Sequence, residues 1–373
     1  MIRSMILITT FLALILFPAS AVVSLSQADI EKELASVLAK HDVPALGGAI
    51  VTSDGIAAIG VAGVRKRGTE VKVTASDLWH LGSNTKAMTA LLAGLLVQKN
   101  LISWDVTVEK IFPELKPDLN SQFAGVTLLQ LLSHHAGLKA NCSEWNEAIS
   151  GNPQQQRYET IKFAMSESPE NVPGTTYAYS NAGYVIAAAM LEKATGKSWE
   201  ELISAYIFRP LEINDSGFGG IGTPGTIDQP WPHTEDGNPL PKNGPEMDNP
   251  VVMSPAGRVN MSLYSWGLFV ADFLRGLQEK KSIASSSLYK TLTTIPFSGD
   301  YALGWLVSSR PWGGGNVFTH AGSNTFNYCV VWMAPLKDFA ILITCNQGGS
   351  AAEKACDEAT SRLIQLLNLS NPK

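Results

Sequence analysis

Three serines in this 373-residue chain stand three positions before a lysine: Ser83/Lys86, Ser287/Lys290 and Ser370/Lys373. A serine hydroxyl keeps its proton at neutral pH unless a base sits beside it, and a neutral amine is such a base. Two other hydrolytic signatures, Gly-x-Ser-x-Gly and His-Glu-x-x-His, do not occur in the sequence. Context separates the three pairs. Ser370 lies in a polar tail beside Pro372, and Ser287 lies in a polar, serine-rich run. Ser83 follows Trp79-His80-Leu81-Gly82 and opens a long apolar stretch, with Lys86 one helical turn later on the same face. Apolar surroundings and the positive end of a helix both disfavour an ammonium there, which pushes Lys86 toward the neutral amine. The helix start also offers backbone N–H groups to an oxyanion. The same residues would equally suit an N-capping serine and a lysine whose stem runs along apolar surface to water.

A Ser-x-x-Lys pair needs a second proton-transfer group. Tyr-x-Asn occurs once, at Tyr179-Ser180-Asn181. A phenol near an ammonium can serve as acid or base, and the asparagine amide can orient both Lys86 and a substrate carbonyl. The alternative is a tyrosine packed on the core and an asparagine capping the helix that follows. A third element, Lys- or His-x-Gly on a strand, fits Lys66-Arg67-Gly68, His135-Ala136-Gly137, Lys242-Asn243-Gly244 and His320-Ala321-Gly322. Only His320 begins an apolar strand run after both earlier elements. Gly322 would let a substrate backbone lie close, and the Ser323 N–H would add a second oxyanion donor. A plain strand-end histidine is the alternative for His320. The pair His134-His135 is not a metal site, because adjacent residues on a helix end do not share a face. His134 reads as structural and His80 as a core residue.

These groups need rigid elements. Asp29 to His41 reads as an amphipathic helix, and 46–51 and 56–64 as two strands joined at Ser53-Asp54-Gly55. Asn84 to Gln98 is apolar almost all round, which marks a buried central helix. Helices are predicted at 126–132, 154–165, 181–195, 199–207 and 263–277. Strands are predicted at 301–308, 316–319, 327–333 and 339–345, and a closing helix at 351–367. Gly217 to Pro250, rich in Gly and Pro, reads as a long loop region lining the substrate cleft. Helix and strands at both ends around a helical middle predict a discontinuous α/β lobe, approximately 22–100 and 285–370, with an inserted helical lobe, approximately 101–284.

The three elements together, in this order, resemble the serine β-lactamase and penicillin-binding family, in its class C-like branch of class C β-lactamases, D-Ala-D-Ala carboxypeptidases and related esterases. Gly82-Ser83-Asn84-Thr85-Lys86, Tyr177-Ala178-Tyr179-Ser180-Asn181-Ala182-Gly183-Tyr184 and His320-Ala321-Gly322 carry the resemblance. Leu131 to Leu138, Ser254-Pro255-Ala256-Gly257 and Leu303-Gly304-Trp305 support it. The resemblance implies an α/β (α+β) fold: an antiparallel sheet flanked by helices beside an all-helical lobe, with the site between them. It implies Ser83 as nucleophile, Lys86 and Tyr179 sharing the proton work, and Asn181 and His320 holding substrate. The oxyanion hole then comes from the Ser83 and Ser323 amides. Two departures bear on substrate. The family commonly has Lys where His320 stands, which weakens the case for a carboxylate-bearing substrate. A glycine expected shortly after the third motif is replaced at Phe326-Asn327, where a phenylalanine would narrow the cleft or fill an acyl pocket.

Composition excludes other classes. The net charge of -5 offers no basic footprint for nucleic acid. Arg3, the apolar run Met5 to Phe17 and Pro18-Ala19-Ser20-Ala21 form a secretory signal cleaved after Ala21, too short to be a comfortable membrane span. The mature chain, 22–373, is then secreted or periplasmic with no stable membrane anchor. No Cys-x-x-Cys occurs among Cys142, Cys329, Cys345 and Cys356. Cys329 and Cys345 lie on a predicted hairpin where they could face each other, or all four are small buried hydrophobes. No cofactor or metal is called for. The expected function is an acyl-enzyme hydrolase for a D-amino-acid peptide, small ester or β-lactam. The alternative is a non-catalytic penicillin-binding or sensor protein on the same scaffold. The sequence does not set the oligomeric state.

Overall fold

The computed structural model describes residues 25–146 and 151–370. The predicted signal segment lies outside the described residues.

In chain order, helix α1 is Gln27–His41, strand β1 is Ala45–Thr52, β2 is Gly55–Gly63 and β3 is Leu78–His80. After the 3-10 turn Gly82–Asn84 come helices α2 (Thr85–Gln98), α3 (Val108–Ile111), α4 (Leu128–Leu132), α5 (Pro153–Ser166), α6 (Asn181–Thr195) and α7 (Trp199–Ile203). Strand β4 (Gly217–Phe218), helix α8 (Ser254–Gly257), β5 (Val259–Ser262), α9 (Leu263–Leu277) and α10 (Ser286–Leu292) follow. The chain closes with β6 (Leu306–Arg310), β7 (Gly315–Ser323), β8 (Tyr328–Ala334), β9 (Phe339–Cys345) and α11 (Gly349–Ser370).

The main sheet is six-stranded and antiparallel, in the order β2-β1-β9-β8-β7-β6. Strand β1 pairs with β9, so the two ends of the chain meet in one sheet around the helical middle. Seven of the eight β1 residues are buried, because both sheet faces are covered. One core lies between the sheet and helices α1 and α11. The other joins the opposite sheet face to α2, α6 and α9. Helix α9 falls within the predicted helical lobe yet packs on β1, β2 and β9. Its apolar residues, from Leu263 to Leu274, form a face that the sheet covers. A second, three-stranded sheet has the order β3-β5-β4. The buried Arg157 of α5 bonds Glu192 of α6 and Glu200 of α7, tying three helices together.

Several predicted bounds shift for local reasons. The strand expected from Tyr301 begins at Leu306, because Ala302 N–H closes a tight turn on the Trp305 carbonyl. Strand β7 runs past Thr319 to Ser323, since pairing with β8 continues to Ser323↔Tyr328. The stretch 199–207 is α-helical only to Ile203, then continues as a π-helical turn, Ser204–Phe208. Cys329 and Cys345 do lie on paired strands, but Cys329 opposes Thr344 and Cys345 opposes Tyr328. That one-residue offset sends their side chains to opposite sheet faces. All four cysteines are free and buried.

The loop region after α7 forms almost no regular structure yet is pinned. Buried His233 accepts the Arg67 N–H at Nε2 (3.1 Å) and donates from Nδ1 to the Asn346 carbonyl (2.8 Å). Trp231 Nε1 donates to the Leu240 carbonyl. Among the described residues, no helix is long and apolar enough to cross a membrane.

Candidate active site

Helix α2 positions Lys86. Twelve of its fourteen residues are buried, Lys86 fully so. Ser83 is not the N-cap of this helix; it lies in the preceding 3-10 turn, half-buried, and α2 has no side-chain cap. Gly82 makes that turn possible. Its φ of +47° lies in the left-handed region.

The amine of Lys86 touches three oxygens. Its Nζ lies 3.0 Å from Ser83 Oγ, 2.7 Å from Asn181 Oδ1 and 2.7 Å from the Ala256 carbonyl of α8. Burial holds its pKa well below the ordinary lysine value. Among the described residues no carboxylate contacts the amine to offset that burial. A neutral amine has two N–H groups and one lone pair. The Ala256 carbonyl and the Asn181 amide oxygen can only accept, so they take both N–H groups. The lone pair is left for the Ser83 hydroxyl.

Tyr179 comes from the segment before α6. Its hydroxyl donates to Ser83 Oγ at 2.7 Å, and Lys86 Nζ lies 4.7 Å from its ring centre. Burial raises the phenol pKa, so the hydroxyl stays protonated. Asn181 is not the cap of α6; Ser180 is, accepting the Gly183 N–H. That frees the Asn181 amide for the site, where its Nδ2 donates to Asn141 Oδ1 at 2.9 Å.

Behind Tyr179 sits His134, buried, with a φ of +62° and its ring centre 4.4 Å from the phenol ring. Its Nδ1 accepts the Ser180 N–H at 3.0 Å. Burial keeps its pKa well below the usual range. His135 points elsewhere, to the Ser133 and Ser298 carbonyls. No group of three or more His, Cys, Asp or Glu among the described residues could hold a metal.

Strand β7 closes the site from the other side. A Cβ added to Gly322 would stand 2.1 Å from the Leu81 carbonyl and 2.9 Å from Ser83 N. A Cβ on Gly82 would stand 2.4 Å from Ser323 N. The strand and the turn therefore meet glycine against glycine, and the Ser83 and Ser323 amides flank the contact. Where the sequence suggests that Gly322 makes room for a substrate, the structure fills that room with the Leu81–Ser83 turn. Ala321 and Ser323 are the exposed positions of this strand end.

His320 departs from expectation. It is only 4% exposed, and both ring nitrogens are engaged. The Ala321 carbonyl lies 2.6 Å from Nδ1 and can only accept, so Nδ1 carries the hydrogen. Nε2 then accepts from the Tyr301 hydroxyl at 3.0 Å. Burial, and secondarily Lys86, pull its pKa down to about 3. A neutral, fully bonded imidazole has nothing left for a substrate carboxylate.

The competing Ser-x-x-Lys pairs are unsuited to this chemistry. Ser287 bonds Ser285, while Lys290 pairs with Glu279 in the open. Lys373 lies outside the described residues. Sequence reasoning missed Ala256, Asn141 and Tyr301. The first acts through its carbonyl, which no residue type announces; the other two carried no motif of their own.

This is the fold of β-lactamases and transpeptidases, and in it a serine, a lysine and a tyrosine are joined by hydrogen bonds. Residues 30–365 match the β-lactamase family, so the chain belongs to that family of serine hydrolases. A D-alanine carboxypeptidase AmpC from Burkholderia cenocepacia superposes with a TM-score of 0.73 at 20% identity, covering 91% of this chain and 98% of that one. An octameric penicillin-binding protein homologue from Pyrococcus abyssi gives 0.71 at 22% identity, over 92% of this chain and 76% of that one. Among curated relatives, an unguisins hydrolase, ungD, from Aspergillus violaceofuscus is 28% identical over 193 residues. That match covers 50% of this chain and 33% of the relative's length.

Proposed function

We propose that the protein hydrolyses an ester or amide through an acyl-enzyme on Ser83. Lys86 takes the Ser83 proton as Oγ attacks the substrate carbonyl carbon. The carbonyl π electrons move to oxygen, and the Ser83 and Ser323 amides receive the resulting oxyanion. Tyr179 donates its proton to the leaving oxygen or nitrogen as that bond breaks, and Lys86 returns a proton to Tyr179. Water then attacks the acyl carbon by the reverse proton path, and Ser83 leaves with its hydrogen restored. The observation that carries this reading is the hydrogen-bond pattern at Lys86 Nζ, which leaves only a lone pair for Ser83.

The substrate class follows from His320. With no cation at that position, the site favours small esters or neutral amides over penicillins and peptides ending in a free carboxylate. The carboxypeptidase and hydrolase names of the related proteins fit the same bond chemistry. Purified protein should cleave short-chain nitrophenyl esters at least tenfold faster, in kcat/KM, than nitrocefin or a D-Ala-D-Ala peptide. It should also take a covalent fluorophosphonate label that Ser83→Ala abolishes. Absence of turnover and of label would point to a binding protein instead. We further propose export with removal of residues 1–21; a mature N-terminus at Val22 is the expected result of N-terminal sequencing.

A further inference from the structure

A buried carboxylate outside the three motifs reaches both walls of this site. Asp248 lies in the Gly- and Pro-rich loop region, its side chain fully buried. One oxygen, Oδ2, accepts from His80 Nε2 at 2.8 Å and from Arg258 Nε at 3.2 Å. The other, Oδ1, accepts from Asn324 Nδ2 at 2.9 Å. On the far side of the imidazole, His80 Nδ1 accepts the Gly82 N–H at 3.1 Å. That bond requires a bare Nδ1, so Nε2 carries the hydrogen it gives to Asp248. Gly82 immediately precedes Ser83, and Asn324 immediately follows Ser323. Asn324 also accepts at Oδ1 from the Phe326 N–H and from Asn327 Nδ2, which fixes the end of β7. One carboxylate oxygen thus serves the turn that carries Ser83, and the other serves the strand that carries Ser323. Burial alone would raise the Asp248 pKa; His80, Arg258 and Asn324 facing it hold it below the ordinary value.

We infer that Asp248 and His80 are positioning residues that set the spacing of the two oxyanion-binding amides. Neither touches the reacting atoms. Asp248 acts through His80 on the Gly82 amide and through Asn324 on the end of β7. The glycine-on-glycine contact sets the two backbones directly together. Cys329 Sγ reaches the Leu81 carbonyl (3.0 Å) and the Gly322 carbonyl (3.7 Å), and the His80–Asp248–Asn324 chain is a second link, the one that ends on the residues next to the two amides. This rests on the reading of Ser83 as nucleophile.

The test uses the full mature chain carrying Asp248→Asn, His80→Ala or His80→Gln. Glutamine offers an oxygen for the Gly82 N–H and an N–H for Asp248, about as far apart as the imidazole nitrogens. The readouts are the rate of fluorophosphonate labelling, the affinity for phenylboronic acid, and kcat and KM on a nitrophenyl ester. The boronate adduct is tetrahedral and puts an oxygen between the two amides. Loss of one oxyanion donor commonly costs about 100- to 1,000-fold, so displacing a pair should cost about 10- to 100-fold. Asp248→Asn and His80→Ala should lose labelling rate, boronate affinity and kcat together by that factor, with KM nearly unchanged. His80→Gln should recover most of the loss. If the folded variants keep boronate affinity and kcat within twofold, or change KM alone, the inference fails. It fails too if His80→Gln rescues thermal stability but not boronate affinity. Should Asp248→Asn not fold, the His80→Ala and His80→Gln pair decides. Persisting label in Ser83→Ala would sink the nucleophile reading itself. Label lost in Ser83→Ala, with unchanged boronate affinity in Asp248→Asn, would sink only the present inference.

Discussion

At the residue scale, a lysine reads as a base here because burial removes the alternative. Lys86 has no carboxylate partner among the described residues, and its N–H groups are absorbed by a carbonyl and an amide oxygen. Lys86→Arg keeps the length and the donors but cannot deprotonate. Its kcat/KM should fall about 1,000-fold, within the range that a positioned general base contributes. For the wild type, kcat/KM should rise with pH on the acid limb as the Lys86 amine loses its proton. The limb lies well below the ordinary lysine range, because burial depresses this pKa. Tyr179→Phe removes the hydroxyl that bonds Ser83 Oγ and should slow leaving-group departure about 100-fold. The defect should be smaller for a nitrophenol leaving group, which needs little protonation, than for an alcohol or amine. A pH–rate series on paired ester and amide substrates reads both effects.

At the element scale, the site is a joint between a helix start and a strand end. Gly322→Ala would drive a methyl group into the Leu81 carbonyl and toward Ser83 N. Both are backbone, so the strand or the turn must shift. A stability loss of about 2 kcal/mol is expected from such overpacking. The larger loss should be in fluorophosphonate labelling, since the shift falls on the amides. A contrasting variant lies among helices α5, α6 and α7. Arg157→Met leaves Glu192 and Glu200 without their shared cation and should cost about 3–5 kcal/mol in a denaturant titration. Labelling of the folded fraction should persist. Periodicity made these elements legible: α6, α9 and β9 fall where the sequence places them, since each carries a long run that the core must cover. The start of β6 and the full length of β7 were not legible, because a tight turn and cross-strand pairing set them, not residue type.

At the scale of the whole molecule, three buried histidines make the fold sensitive to acid. Burial lowers the pKa of His320 to about 3, that of His233 to about 4, and that of His134 well below its ordinary value of 6.5. Between those values and 6.5 the unfolded chain binds protons that the folded chain does not. The stability that depends on these histidines is therefore fully present above pH 6.5 and is lost as pH falls toward the folded values. Each histidine contributes up to about 1.4 kcal/mol per pH unit in that window. Thermal melts should show Tm falling gently from pH 8 to 6.5, where Lys86 is neutral in the fold and charged in the unfolded chain, and falling more steeply from pH 6 to 4 as the histidines join it. His233→Gln, which keeps an acceptor for Arg67 N–H and a donor for the Asn346 carbonyl, should flatten part of that slope.

The amino-acid sequence by itself determined the order Ser83-Lys86, Tyr179-Asn181, His320-Gly322, and the buried helix that desolvates the lysine. Both follow from residue type and local spacing, which a linear chain displays directly. Only the tertiary structure decided that His320 is neutral and turned to Tyr301, and that Ala256 supplies a carbonyl to Lys86 from across the chain. It also decided that a carboxylate from the least regular stretch braces both sides of the site. A charge state depends on what surrounds a group, and a backbone carbonyl carries no residue identity. Neither exists until distant segments are packed together.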